Sequence, residues 1–176
     1  TDDFIKTGSN VGITGDTART VTCWAKLDDI TANRYLWIFG EADTRKAFGM
    51  YQASGSPGNF YYIVQDEHIE LAAGNIVVGQ WHHLAFTYDG STTTKGYLDG
   101  VLVGTDSLGG ALNTTASVMR IGVRTAEDLF FDGNICQIGV WAGELTQAQI
   151  QSVMEKTYAE LTASEKTNLV SYWALD

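Results

Sequence analysis

The 176-residue chain has little proline, cysteine or basic charge, and each shortage excludes a class of protein. A single proline and 18% charged residues, against 44% hydrophobic ones, exclude a proline-rich or disordered chain and indicate a packed core. Two cysteines, Cys23 and Cys136, are too few for a disulfide scaffold or a thiolate metal cage. Both lie in apolar runs, so we expect buried free thiols, with a disulfide between them as the alternative.

Long apolar runs are also missing. None approaches the roughly 20 residues that a membrane-spanning helix needs, so we expect no insertion into a membrane. The first residues, Thr1–Lys6, lack the basic start and apolar stretch of a signal peptide. Because the sequence does not begin with methionine, we expect a mature or excised fragment whose targeting segment is not visible.

Acidic residues outnumber basic ones by 21 to 11, which gives a net charge of −10 and a pI near 4.6. This charge repels polyanions, so we expect no nucleic-acid partner and no anionic membrane surface. A neutral or cationic ligand fits better, although surface solubility is the larger reason for the acidic excess.

Alternating hydrophobicity, interrupted by recurrent turn residues, predicts an all-β sandwich in one domain over residues 1–176. Asp99-Gly100, between two apolar runs, predicts a two-residue hairpin with a type I′ turn. The predicted strands are Thr20–Leu27, Tyr35–Gly40, Ala47–Gln52, Asn59–Val64, His68–Ala72, His82–Tyr88, Thr94–Leu98, Val101–Asp106, Ser117–Gly122, Asn134–Trp141 and Leu169–Leu175.

One segment has helical periodicity. Thr146 and Gln149 form a capping box, and Ile150, Val153 and Met154 follow at helical spacing. A second capping pattern, 162–165, predicts at most a short helical turn. We expect this helical segment to cover one edge of the sandwich.

The order of these segments resembles laminin-G-like domains of the concanavalin A-like lectin/glucanase superfamily, most strongly over residues 20–176. The resemblance rests on the motifs Thr20–Lys26, Trp81–Gly90, Lys95–Val103, Met119–Gly122, Gly133–Trp141, Leu145–Ile150 and Leu169–Asp176. It implies a jelly-roll of two curved antiparallel sheets with a short C-terminal helix. The roles it implies include glycan binding, adhesion, display on a virion or cell surface and, in some branches, catalysis.

Two acidic segments are candidates for glycoside chemistry, which requires a pair of carboxylates. Glu41-Ala42-Asp43 resembles the start of the glucanase pattern, but Lys46 stands where the final acid belongs, so we interpret this segment as a solvated loop. The segment Asp66–Glu70 could shuttle protons through His68 and Glu70, and its alternative is a charged strand edge. We therefore expect no enzyme.

Adjacent histidines on a strand point to opposite faces and cannot bind one metal together. His82 shares the phase of the core residues Leu84 and Phe86, so we interpret it as a partly buried, hydrogen-bonded structural residue. His83 belongs to the outer face, and we expect neither to be catalytic.

The phase of the strands places aromatic rings on an outer face. We expect Leu36, Ile38, Phe48, Met50, Phe60, Tyr62 and Val64 to point inward, and Tyr35, Trp37, Tyr51, Tyr61 and Ile63 to point outward. Aromatic rings pack against the CH faces of sugars, which makes Tyr35, Trp37, Tyr51 and Tyr61 the candidate ligand-binding residues. The alternative is that these rings are buried by a loop, the C-terminal segment or another subunit.

Calcium is the cofactor that the resemblance implies, held at the rim between two loops by a carboxylate and backbone carbonyls. The corresponding loop, Ala53–Asn59, has no Asp or Glu, which weakens that expectation. Glu127, Asp128, Asp132 and Asp176 remain as candidate oxygen ligands, with ordinary surface charge as the alternative.

The leading hypothesis is a non-catalytic surface-recognition module that binds a neutral glycan or cell-surface polysaccharide. It would be extracellular or on a virion or cell surface. The first alternative is a structural or assembly domain of a phage fibre or cell-surface protein, in which the aromatic face joins subunits of a homo-oligomer. The second alternative is a polysaccharide-degrading enzyme.

Overall fold

The computed structural model describes residues 3–54, 60–63, 68–71 and 76–175. The strands in these ranges are β1 (Ile5–Asn10), β2 (Arg19–Leu27), β3 (Arg34–Gly40), β4 (Ala47–Gln52), β5 (Phe60–Ile63), β6 (His68–Leu71), β7 (Trp81–Tyr88), β8 (Thr93–Leu98), β9 (Val101–Ser107), β10 (Val118–Ile121), β11 (Gly133–Trp141) and β12 (Leu169–Trp173). The helix α1 spans Gln147–Met154.

The strands form two antiparallel six-stranded sheets. Sheet I has the order β1-β10-β3-β4-β5-β6, and sheet II has the order β12-β11-β2-β7-β8-β9. The all-β sandwich is confirmed. One strand, β1, was not predicted, because its exposed sequence from Lys6 to Asn10 is polar and carries no hydrophobic alternation.

The core lies between the sheets and is rich in aromatic rings. Phe48 of sheet I stacks on Phe86 of sheet II with ring centroids 4.5 Å apart and planes within 7° of parallel. Trp37 and Phe39 pack beside Phe48, at 5.7 Å each. These fully buried rings join the two layers. Cys23 also lies in this core, and no disulfide joins it to Cys136.

The hairpin between β8 and β9 has the predicted two-residue turn. Leu98 pairs with Val101, and Asp99 and Gly100 adopt φ angles of +49° and +74°. The Asp99 carboxylate turns back to β7, where it accepts the backbone N–H of His83 at 2.8 Å and contacts His82 Nδ1 at 2.8 Å. The hairpin tip is therefore fixed to the neighbouring strand.

The capping box of α1 is present, with Thr146 and Gln149 each accepting from the other's backbone N–H. The sequence predicted that this helix covers an edge of the sandwich, and that prediction is wrong. The helix packs instead on the outer face of sheet II. Its buried side chains, Ile150 and Val153, join apolar residues on that face in one cluster. The cluster also contains Ala85 of β7, Tyr97 of β8, Trp141 of β11, Leu145 and Leu161. The 162–165 segment forms reciprocal capping bonds in a turn.

A β-bulge in β3 changes which residues face the core. Tyr35 pairs with Tyr51 of β4, but Trp37 pairs with Met50, so one extra residue is inserted on β3. As a result the consecutive residues Leu36 and Trp37 both lie in the core. Beyond the bulge the alternation continues with its phase shifted by one residue.

Candidate functional site

Three tyrosines from adjacent strands form a row on the outer face of sheet I. Tyr35 of β3, Tyr51 of β4 and Tyr61 of β5 are directly opposite one another in register. The Tyr35 and Tyr51 rings stack with centroids 5.3 Å apart and planes 20° apart, and Tyr51 meets Tyr61 at 5.5 Å and 34°. We call this row the tyrosine ladder.

The ladder is graded in its exposure. Tyr35 is only 8% exposed, whereas Tyr51 and Tyr61 are half-buried. Burial, followed by the neighbouring Tyr35 and Tyr61, raises the pKa of Tyr51 to about 12. Burial also raises the pKa of Tyr35. These phenols therefore keep their protons at neutral pH and can donate as well as accept hydrogen bonds.

The stacking limits how the ladder can contact a ligand. The faces of Tyr51 are directed at its two neighbours, so a sugar cannot lie flat on that ring. Side chains stand roughly perpendicular to a sheet, so the ring edges and their hydroxyl groups point away from it. The ladder therefore presents a row of phenol hydroxyls with apolar ring edges between them.

A loop closes the Tyr35 end of the ladder. The Tyr35 N–H donates to the carbonyl of Leu129 at 3.1 Å, and Leu129 packs against the ladder cluster. The ion pair between Arg124 and Asp128 stands beside it, with Arg124 Nε donating to the Asp128 carboxylate at 2.7 Å. The loop makes Tyr35 a supporting residue and leaves the Tyr51–Tyr61 part of the ladder more open.

Trp37 does not belong to this surface, and its expected outward orientation is wrong. The bulge in β3 turns its side chain into the core, where it is 0% exposed and packs against Phe39 and Phe48. The same bulge turns Ile38 outward, into the cluster of Tyr35 and Ala47, although it was expected inside. Leu36, Phe48, Met50 and Phe60 lie in the core as predicted. The side chains of Tyr62, Ile63 and Val64 lie outside the described part of the structure.

The two histidines are structural in different ways. His82 is 7% exposed; its Nε2 accepts the backbone N–H of Val77 at 3.1 Å, and its Nδ1 contacts Asp99, as the sequence predicted for a hydrogen-bonded residue. His83 is on the outer side of β7, but the helix covers it and it is only 2% exposed. Burial lowers the pKa of His83 to about 4.

The candidate acids of the 41–46 loop do not form a catalytic pair. Asp43 is exposed and is bonded to Lys46, which lowers the pKa of this carboxyl, and Glu41 is exposed. A general acid for glycoside cleavage needs the opposite, a raised pKa. Asp66 and Glu67 and the side chains of His68 and Glu70 lie outside the described residues.

The candidate calcium ligands are engaged with cations. Glu127 Oε1 is 3.5 Å from Lys6 Nζ, Asp128 pairs with Arg124, and Asp132 is 3.4 Å from an Arg34 nitrogen. A carboxylate paired with a cation is a weak ligand for a hard metal ion, so these residues do not fit the implied site. The described residues hold no cluster of three or more His, Cys, Asp or Glu suited to a metal. Asp176 and most of the 53–59 loop fall outside the described ranges.

Sequence reasoning passed over two aromatic side chains that are more exposed than any ladder tyrosine. Trp81, at the start of β7, is 44% exposed, and Tyr158, in the connection after α1, is 50% exposed. The signal for Tyr158 is weak, because it lies in a charged segment without periodicity, where no face can be assigned.

A laminin-G-type family model, described as the concanavalin A-like lectin/glucanases superfamily, matches residues 1–151. The chain therefore belongs to this family, and the resemblance derived from its motifs is confirmed. The match ends inside α1, so β12 and the preceding connection lie beyond it. No curated protein matches the sequence.

Solved structures show the same fold at low sequence identity. A Bacteroides ovatus protein proposed to bind carbohydrate has a TM-score of 0.77 at 17% identity, over 98% of this chain and 49% of its own. The SAP-like heptameric pentraxin of Limulus polyphemus has a TM-score of 0.70 at 18% sequence identity, over 97% of this chain and 84% of its own. A third similar structure is domain 4 of AbnA, a GH43 extracellular arabinanase from Geobacillus stearothermophilus, solved with arabinotriose. Its TM-score is 0.68 at 20% sequence identity, over 85% of this chain and 71% of its own.

These similarities establish the fold, while the site must be argued from this chain's own residues. The chain spans about half the length of the Bacteroides ovatus protein. Within the described ranges, the helix is too short and too polar to cross a bilayer.

Proposed function

We propose that this chain is a non-catalytic recognition module that binds neutral glycans through the outer face of sheet I. The observation that carries this proposal is the tyrosine ladder, in which Tyr51 and Tyr61 expose phenol edges supported by the more deeply buried Tyr35. Phenol hydroxyls can bond sugar hydroxyls, while the ring edges contact CH groups.

Charge and family membership support the same conclusion. A net charge of −10 favours a neutral ligand over a polyanion. The family is lectin-like, and similar folds include a protein proposed to bind carbohydrate and a domain solved with arabinotriose. Such a module would act outside the cell or on a virion or cell surface, facing a cell-surface polysaccharide.

The test is calorimetric titration with neutral oligosaccharides, preceded by a glycan array to choose them. Tyr61→Ala removes one half-buried ring of the ladder and is expected to weaken binding about tenfold, since one aromatic contact contributes roughly 1 kcal/mol. Tyr61→Phe keeps the ring and separates the hydroxyl contribution. Trp81→Ala, at an exposed ring on sheet II, is the matched control and should bind as the wild type does.

An assembly role would give a different result. If the ladder joins subunits, Tyr61→Asp should lower the mass measured in solution, and no glycan should bind saturably. The absence of saturable binding across a broad array would refute the recognition module. Release of sugar products, lost on replacing Glu41 or Asp43, would instead identify an enzyme.

A further inference from the structure

An open groove of about 430 Å³ runs along β12, far in the fold from the tyrosine ladder. The ladder lies on β3, β4 and β5 of sheet I, whereas β12 is an outermost strand of sheet II. The groove is lined by Tyr158 from the connection after α1 and by Leu169, Val170, Ser171, Tyr172 and Ala174. Its volume is within the range of small-ligand sites.

The exposed ring in the groove is held in place. Tyr158 is the most exposed aromatic side chain among the described residues, at 50%. Its ring meets that of Tyr172 at 5.3 Å, and the Lys166 ammonium lies 4.5 Å from its centroid. A ring that is open to solvent but fixed by neighbours loses little conformational freedom when a ligand binds.

The backbone that carries Tyr158 is also fixed. The neighbouring Thr157 donates to the Glu160 carboxylate from both its N–H, at 2.8 Å, and its hydroxyl, at 2.7 Å. Further along, the Glu165 carbonyl accepts the indole N–H of Trp141 at 2.8 Å, which ties the connection to β11. No loop closure is needed to form the groove.

Polar groups border the apolar lining. Directly after β12, the Ala174 carbonyl accepts the Gln137 N–H at 2.7 Å, and Tyr172 of β12 pairs with Gly139 of β11. Because alternate residues of an antiparallel strand direct their backbone groups to opposite sides, Ser171 and Trp173 direct theirs to the free edge. The Lys166 ammonium, which lies over the Tyr158 ring, adds hydrogen-bond donors to the same groove.

We propose that this groove is a second saccharide-binding site, separate from the ladder, that takes one or two sugar units of a neutral oligosaccharide. The exposed half of the Tyr158 ring supplies the apolar contact, and the Lys166 ammonium over its face, together with the free edge of β12, supplies hydrogen bonds. The inference rests on the proposed glycan-binding function and makes the module bivalent, so that two weak sites reinforce each other on a polysaccharide.

A peptide strand fits this edge less well. Adding a strand requires a regular run of outward donors and acceptors. β12 has five residues, and a register irregularity between Val140 and Trp141 on β11 interrupts its pairing next to Val170. Only the Ser171 and Trp173 positions remain regular, which suits the discrete hydrogen bonds of a sugar.

The experiment follows backbone amide signals by NMR during titration of the ¹⁵N-labelled protein with arabinotriose, cellotriose and maltotriose. We expect two separate groups of shifted amides, one along β4 and β5 and one along β12. Tyr158→Ala should weaken binding at β12 about tenfold, with the ladder group unchanged, and Lys166→Ala should weaken it less. Tyr158→Phe, which keeps the ring, should bind nearly as the wild type does. Melting temperature checks that each variant is folded.

The outcomes separate the two proposals. Shifts confined to the ladder, unaffected by Tyr158→Ala, would overturn the second site and leave the recognition function standing. Shifts confined to β12 would support the second site and refute the ladder. The absence of any saturable shift with all three sugars would overturn both.

Discussion

His83 is expected to make the protein less stable in mild acid. The side chain is 2% exposed beneath α1, and its ring lies 5.4 Å from that of Trp24. Burial lowers its pKa from 6.5 to about 4, and the nearby Asp99 carboxylate only partly opposes this. The unfolded chain therefore binds more protons than the folded protein between these two values. The contribution of the neutral, buried His83 to the unfolding free energy is therefore fully present above about pH 6.5 and is lost as the pH is lowered towards 4.

The size of the effect follows from the two pKa values. One pH unit of difference corresponds to about 1.4 kcal/mol, so protonation of the unfolded state costs about 2 kcal/mol of folding free energy at pH 5. Below pH 4 the loss levels off at about 3 kcal/mol. The residues that line the small space beside His83 include Lys156 but no Asp or Glu. This lining therefore offers no carboxylate that would favour the charged imidazole.

Urea unfolding, followed by tryptophan fluorescence at pH 7.5 and pH 5.0, measures this loss. Other groups titrate in the same window, so the wild type is compared with His83→Gln, which keeps a polar side chain that does not titrate. The difference in unfolding free energy between the two proteins should change by about 2 kcal/mol between these pH values. The same pH dependence in both proteins would show that His83 is not the group responsible.

Two further substitutions test the packing of the fold outside the two proposed sites. Gly100→Ala is expected to lower the melting temperature more than Gly12→Ala. Both glycines have φ near +80°, but a Cβ at Gly100 would lie 2.8 Å from Gln151 Cγ, whereas Gly12 faces open space, and equal losses would contradict this. Arg19→Met is expected to cost about 2–4 kcal/mol in urea unfolding, because the buried guanidinium donates three hydrogen bonds and lies over two aromatic rings. Arg19→Lys should lose nearly as much, since an ammonium cannot reproduce the planar fork, and wild-type stability would argue against this explanation.

Local signals predicted the parts of the fold that depend on neighbouring residues. The Asp99-Gly100 turn requires two positive φ angles, and the Thr146–Gln149 capping box satisfies helix donors, so both can be recognised in short stretches. The placement of α1 could not be recognised in this way. Whether its apolar face covers an edge or a face depends on buried residues of β7, β8 and β11, far away in the chain.

The bulge in β3 explains the main error about the site. Alternation predicts a face only while the register is unbroken, and one inserted residue reverses every side chain beyond it. Nothing in Tyr35-Leu36-Trp37-Ile38 marks the bulge, because all four residues suit either face of a sheet. The position of Trp37 therefore depends on the pairing with β4, while Tyr35, Tyr51 and Tyr61 share an outer face because they pair directly.

The distribution of hydroxyl groups in sheet I supports the proposal that the ladder binds a ligand. On each of three adjacent strands the structure places a phenylalanine in the core and a tyrosine outside. These pairs are Phe39 and Tyr35, Phe48 and Tyr51, and Phe60 and Tyr61. An apolar stack covered by a loop would be served equally well by phenylalanine, which has no hydroxyl to desolvate. A phenol is favoured where the far end of the ring meets water or a polar ligand, and the two more open tyrosines, Tyr51 and Tyr61, stand at directly paired positions.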